Sequence, residues 1–204
     1  RQKAFSTLQT SHVGFSNENK YVEVFTNVFA IKINKFGGNL LSLKLLKYPY
    51  KLTELTNAFS LLDNSEQHYV VEESGFLTKN VESETFINET LLYTCSKDVF
   101  FYTTDDEISF NVDFIHDGSK HNVIKRFFFS KDSYLVFVKY FIKNVSQEVF
   151  ERYLYGKIKT YNKDSDSSWF KNFTASQAFT GFAVGTDKKK FNKIFFSTIA
   201  KDAF

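Results

Sequence analysis

The sequence predicts an all-β fold, an antiparallel sandwich with at most short helical turns. Apolar and polar residues alternate with period two along most of the chain, and no helix-period stretch of useful length interrupts them. The 204 residues include 26 Phe and 11 Tyr, and aromatic residues favour half-buried, pleated strands over helices. A hydrophobic content of 43% with 24% charged residues excludes an intrinsically disordered chain. We therefore expect a substantial core between β layers.

The first strands are expected on either side of a glycine pair. Before it, the alternation can follow either of two phases, one through Val28 and the other through Phe29. Gly37 and Gly38 then permit a tight reversal with positive φ. The chain returns from this turn until Pro49, which lacks a backbone donor and is expected to stop the strand or to mark a sheet edge.

The next part of the chain gives weaker signals. Residues 50–66 show no clear period and are expected to be irregular. Further short strands are predicted within residues 69–75 and 86–102, where apolar alternation returns.

The clearest alternation lies in the middle of the sequence. Strands are predicted at residues 108–114, 122–129, 134–143 and 149–161, separated by turns that contain Gly, Asp, Asn and Ser. This regular spacing predicts a four-stranded meander, which is typical of a sandwich or barrel. Residues 134–143 carry apolar side chains on both faces, so we expect this strand to be central.

The last part of the chain is expected to contain an exposed polar loop at residues 162–168, a short helical turn at 168–173 and a strand at 177–184. Neither an internal repeat nor a linker is visible. The predicted organisation is a flexible N-terminal segment, residues 1–19, followed by one β domain, residues 20–204.

The charge pattern argues against nucleic acid as a partner. The formal net charge is only +3, and the basic residues are almost all Lys, interspersed with acids. A nucleic-acid binder is expected to concentrate positive charge on one face and to use Arg. The single run of lysines, residues 188–190, follows a turn sequence and is expected to be a solvated turn.

No catalytic, cofactor-binding or metal-binding residue is predicted. The histidines lack metal-ligand spacing, and His116 and His121 are expected to face solvent across a turn. Cys95, the only cysteine, lies in an apolar segment and is expected to be a buried small hydrophobe. Asp164 and Asp166 resemble part of a calcium loop, but the Gly and the later Glu of that motif are missing. His12, His68 and the acidic run of residues 105–107 are the remaining, weak candidates for a chemical role. The acidic run comes just before a predicted strand and indicates a turn.

The sequence contains no Met and begins with Arg1, which predicts that it is a piece of a longer protein. The first ten residues lack the apolar centre of a signal peptide. No stretch approaches the 18 consecutive apolar residues of a membrane helix.

A series of short segments follows a characteristic order along nearly the whole chain. The segments are residues 21–34, Phe36-Gly37-Gly38, Leu46, Tyr48-Pro49, residues 59–63, Ser74-Gly75-Phe76, Lys125-Arg126-Phe127-Phe128-Phe129, residues 132–140, Asn144, and residues 179–184 and 191–199. Each motif is weak by itself, but the ordered series resembles the large periplasmic domain of the YidC family of bacterial membrane protein insertases.

This resemblance implies a β-supersandwich, the two-layer architecture of galactose-mutarotase-like proteins. It implies a domain on the periplasmic side of the bacterial inner membrane, attached to a membrane region that performs insertion. One membrane helix upstream and about five downstream are expected in the full reading frame. The implied partners of the full-length protein are Sec translocon components, SecDF and SecYEG, and nascent membrane proteins. No cofactor is implied, and the domain itself is expected to be non-catalytic.

Two other classes of protein stay open at this stage. A sugar-binding or aldose-epimerase-like supersandwich would use His and a carboxylate in a cleft as acid and base, with His68, His116 or His121 as candidates. An adhesin-like surface module would have tandem neighbouring domains instead of membrane helices.

Overall fold

The computed structural model describes residues 20–66, 68–80, 82–83, 85–101, 107–160, 181–185, 187–188, 190–195 and 199. The predicted segment 1–19, the loop at 162–168, the helical turn at 168–173 and the acids Asp164 and Asp166 lie outside these residues. The chain divides into two compact units, Arg1–Thr160 and Tyr161–Phe204. The described residues lie mainly in antiparallel strands, which confirms the all-β sandwich.

The larger sheet has eight strands, with the spatial order β11-β5-β3-β2-β1-β7; β4 pairs with β3 and β6 with β5. Among the described strand pairs, the short pairing of β1 with β7 is the parallel one. The strands are β1 (Tyr21–Phe25), β2 (Phe29–Asn34), β3 (Leu40–Pro49), β4 (Ala58–Leu62), β5 (Val70–Lys79), β6 (Phe86–Glu89), β7 (Val99–Phe100) and β11 (Tyr153–Thr160).

The second sheet is a meander of three antiparallel strands, β8 (Ser109–Asp117), β9 (His121–Ser130) and β10 (Val136–Asn144). Its register is continuous along the full length of β9. Alternate residues of β9 point to the core, and among them Val123, Phe127 and Phe129 are buried. The period-two alternation of the sequence is the cause, because successive side chains of a strand point to opposite faces.

The hydrophobic core lies between the two sheets. Both contribute to one cluster of buried side chains, and Tyr93 of the β6–β7 connection packs edge-on against Phe114 of β8 at 6.2 Å. Of the two phases open before Gly37, the structure selects the one through Phe29, Ile31 and Ile33, which are buried. Gly37 and Gly38 have φ of 82° and 60°, as the tight reversal requires.

Three expectations about strands are wrong. Residues 50–66 include the regular strand β4, which pairs with β3 around a bulge. The meander has three strands and not four, because β11 leaves the smaller sheet and pairs with β5 in the larger one. Within the described residues, β10 pairs only with β9 and is therefore an edge strand rather than a central one.

The second unit contains one described hairpin. Strands β12 (Gly181–Val184) and β13 (Asn192–Phe195) pair antiparallel in continuous register. The strand predicted at residues 177–184 is thus observed over its described part. None of the described residues belongs to a helix with the length and hydropathy that crossing a bilayer requires.

Candidate functional site

The two sheets differ in width at the edge where β10 lies. The ring of Tyr140 on β10 contacts Phe76 of β5, with centroids 5.0 Å apart, and its hydroxyl donates to Ser74 Oγ at 3.2 Å. These contacts place β10 opposite β5. In the larger sheet β11 lies one strand further out, beside β5. Because no strand of the described part continues the smaller sheet beyond β10, the larger sheet extends one strand further.

The inner face of β11 is consequently uncovered. Leu154 and Ile158 are in register with the inward-facing Phe76 and Glu72 of β5, yet they are 63% and 59% exposed. Between them, a Cβ added at Gly156 would meet no atom within 4 Å. Apolar side chains on the core side of a strand are normally buried, so this face offers free space for a further element.

Strand β10 is apolar on both faces. Its inward-facing Val138 and Ile142 are 37% and 40% exposed, and its outward-facing Phe137 and Phe141 are 52% and 48% exposed. A strand edge presents a row of N–H and C=O groups that can pair with another chain. We call β10 together with the uncovered inner face of β11 the open edge.

Lysines border the open edge. On the outer face of β10 they alternate with the phenylalanines, at Lys139 and Lys143, and no described carboxylate forms an ion pair with either. On β11, Lys157 and Lys159 both lie near the carboxylate of Glu73, at 2.8 and 3.9 Å. The open edge is therefore apolar with a positive rim.

The outer face of the smaller sheet continues this surface as a groove of about 350 Å³. The Arg126 guanidinium lies 5.1 Å from the centroid of the Phe141 ring and forms two hydrogen bonds of 2.7 Å to the Asp113 carboxylate. This pair fixes the position of the arginine. Phe128 and Phe137 line the groove beside it.

A buried lysine joins the two sheets behind the open edge. Lys125 of β9 is fully buried, and its Nζ donates to Gly37 O, Ser74 O and Ser74 Oγ at 3.2, 3.2 and 2.9 Å. Desolvation lowers the pKa of this amine to about 8, and the negative charge of Glu72 opposes the shift. Because an ammonium group has three N–H donors, these acceptors use them all.

A second cavity, of about 220 Å³, lies beside this lysine and is lined by Asn39, Ser74, Tyr93 and Tyr155 among others. Burial raises the pKa of Tyr93, so its phenol stays neutral. Since the donors of Lys125 are already occupied, the lysine joins sheets rather than offering a charge to a ligand in this cavity.

The residues considered from sequence do not form a reaction centre in the described part of the chain. His116 and His121 are neighbours, with ring centroids 6.2 Å apart. They are half-buried against Tyr93 and Phe150, which corrects the expectation that both face solvent. Cys95 packs against the core, and burial raises the pKa of its thiol. Among the described His, Cys, Asp and Glu, no group of three is placed to hold a metal.

Sequence reasoning missed the open edge. Its signal was present in β10, whose apolar residues occupy both faces, but that pattern was assigned to a central strand. The alternating Phe137, Lys139, Phe141 and Lys143 contradict a fully buried strand, because unpaired lysines are rarely buried.

Comparisons with known proteins agree on one family. A family profile described as YidC periplasmic domain matches residues 21–203. Among similar proteins, the membrane protein insertase YidC of Wigglesworthia glossinidia brevipalpis is 29% identical over 196 residues, which cover 92% of this chain and 34% of that protein. The YidC of Cellvibrio japonicus is 29% identical, with coverages of 93% and 33%. The YidC of Alcanivorax borkumensis is 28% identical, with coverages of 89% and 31%. The chain thus spans about a third of the length of these relatives.

Proposed function

Because this chain belongs to the YidC periplasmic-domain family, we propose that it is a non-catalytic accessory domain of a YidC-like membrane protein insertase. The domain binds partner proteins through the open edge. The observation that carries the proposal is the exposure of the inner face of β11, where Leu154 and Ile158 are more than half exposed, a Cβ at Gly156 meets open space, and no strand of the described residues lies opposite.

Strand addition is the binding mode that this geometry favours. A polypeptide that pairs with β10 would lie over the inner face of β11 and bury Leu154 and Ile158. Main-chain hydrogen bonds would supply affinity, and the side chains would supply specificity. Opposite Lys139 and Lys143, acidic residues of the added strand would form cross-strand pairs.

The family supports a proposal for the partners and the location. The relatives are named membrane protein insertases, so the proposed setting is the periplasmic side of the bacterial inner membrane. The proposed partners are the Sec translocon components SecDF and SecYEG and nascent membrane proteins. Insertion itself belongs to the membrane region of the full-length protein, where polar groups must cross lipid at a high desolvation cost.

Site-specific photocrosslinking of the full-length protein in inner-membrane vesicles tests this proposal. A photoreactive phenylalanine replaces Leu154 or Phe141 in the open edge, and the matched control replaces Leu92, which is 65% exposed outside the open edge. We expect crosslinks to Sec components or nascent chains from positions 154 and 141 only. Equal crosslinking from position 92, or none from the open edge, would contradict the proposal.

Charge reversal provides an independent check. Lys139→Glu with Lys143→Glu is expected to lower the crosslinking yield from position 154 severalfold. The new glutamates would lie opposite the acidic residues of the added strand, and like charges directly opposite each other destabilise a strand pair.

A mutarotation assay with common hexoses tests the sugar-processing alternative. Turnover that is lost when His116 or His121 is changed to Ala would overturn the assignment as a non-catalytic domain.

A further inference from the structure

The connection between β3 and β4 forms a projecting tip, residues 50–57. Three backbone hydrogen bonds stabilise it: Tyr50 N donates to Asn57 O at 2.7 Å, Asn57 N to Glu54 O at 3.0 Å, and Glu54 N to Lys51 O at 3.0 Å. The tip therefore holds a defined turn.

The tip presents two large aliphatic side chains among polar residues. Leu52 is 88% exposed and Leu55 is 77% exposed. Burying these two aliphatic side chains, which lie on one structured turn, would be favourable. A partner that covers them would gain this energy.

Aromatic rings surround the base of the tip. Tyr50 stacks on Phe59 of β4 with centroids 6.4 Å apart, and Tyr48 of β3 contacts Tyr134 of the β9–β10 connection at 5.8 Å. All four rings are more than a third exposed. We call Tyr48, Tyr50, Phe59 and Tyr134 the aromatic collar.

Two lysines lie at the level of the collar and just above it. Lys47 Nζ is 3.4 Å from the Asp132 carboxylate, and Lys51 Nζ is 3.4 Å from that of Glu54. Both lysine side chains are more than half exposed, so each can bend towards a lipid headgroup while its methylene groups lie along apolar surface.

We propose that this tip is a lipid-contact site, which inserts Leu52 and Leu55 into the interface of a bilayer. Aliphatic groups, aromatic rings and lysines lie together on this hairpin, with Glu54 paired to Lys51, and these are residue types that occur at a membrane interface. The inference rests on the proposed function, because only a membrane-associated protein presents this tip to lipid.

Vesicle flotation of the 204-residue chain tests the proposal. The probe is a set of mixed phosphatidylethanolamine–phosphatidylglycerol vesicles. The test variant is Leu52→Ser with Leu55→Ser, and the matched control is Leu92→Ser with Val149→Ser, two aliphatic residues outside the tip that are 65% and 87% exposed. We expect the wild type and the control to float with the vesicles, and the tip variant to bind at least ~10-fold more weakly, the loss that one leucine alone would cause.

Several outcomes would overturn the lipid-contact site. One is a wild-type chain that does not bind the vesicles, and another is a tip variant that binds as well as the control. A third is a wild-type chain that fails to bind vesicles but self-associates in sedimentation velocity, while the tip variant is monomeric. This result would assign the tip to a protein contact. Circular dichroism of all chains verifies that they are folded. Because the assay contains no partner protein, its result is independent of the crosslinking from the open edge.

Discussion

At the scale of single residues, Lys125 shows how the interior balances charge against packing. The fully buried ammonium satisfies two carbonyls and one hydroxyl, and it lies 5.3 and 5.6 Å from the ring centroids of Phe127 and Tyr140. The carboxylate of Glu72, whose buried Oε2 accepts no hydrogen bond from a described residue, contributes negative charge. Desolvation outweighs the attraction of this charge, and the pKa of Lys125 falls as a result.

This lowered pKa predicts a dependence of stability on pH. In the folded chain the pKa of Lys125 is about 8, and its ordinary value is 10.5. Between these values the unfolded state binds more protons, so the free energy of unfolding rises with pH. Relative to Lys125→Met, the wild type is expected to gain up to about 3 kcal/mol across this interval. Denaturant unfolding of both chains at several pH values measures the gain, and parallel pH profiles would contradict it.

Two glycines are expected to respond in opposite ways to the same substitution. Gly38 has a φ of +60°, and a Cβ there would lie 2.8 Å from Lys125 Cδ, whereas a Cβ at Gly156 meets nothing within 4 Å. Gly38→Ala should destabilise the fold by ~1–2 kcal/mol for two reasons. An alanine is strained at this left-handed φ, and its Cβ would displace the buried side chain of Lys125. Gly156→Ala should be neutral or stabilising by up to ~1 kcal/mol. Chemical denaturation of the two variants makes the comparison, and an equal loss in both would count against the structure around Gly38.

At the scale of elements, β10 explains why apolar content alone does not determine the place of a strand. A strand that is apolar on both faces fits the centre of a sheet, and it equally fits an edge that awaits a partner. In this chain the lysines at positions 139 and 143 favour the edge, because charged residues, especially Lys, are typical of exposed edge strands.

Hydrogen exchange of the free chain distinguishes the two positions. Strand β9 is paired on both sides, so we expect all its amides to exchange slowly. In β10 only the amides that bond to β9 should be slow, and alternate amides should exchange rapidly. Uniform slow exchange along β10 would mean that another segment of the chain already occupies the open edge.

At the scale of the whole molecule, the crossing of the chain from β10 to β11 joins the sheets. Three successive strands build the smaller sheet, and the next one pairs with β5, from which it is separated by more than 70 residues in sequence. All side chains of the core cluster lie between Val22 and Tyr140. The first unit, Arg1–Thr160, therefore contains the whole described core.

This distribution predicts that the first unit folds without the second. A chain ending at Thr160 is expected to retain β-type circular dichroism and to unfold cooperatively on heating, because it keeps every residue of the core cluster. A thermal melt of the shortened and the complete chain provides the measurement. A broad, non-cooperative transition of the shortened chain would show that residues 161–204 complete the core.

The sequence by itself determined the all-β class, the Gly37-Gly38 reversal and the strands of the meander, because period-two alternation and glycine conformations are local properties. It also determined the family, through an ordered series of segments. The tertiary structure alone decided that β11 joins the larger sheet and that, among the described residues, β10 is an edge and nothing covers the inner face of β11. These features depend on which strand pairs with which, and pairing depends on contacts between residues far apart in the chain, which local patterns do not specify.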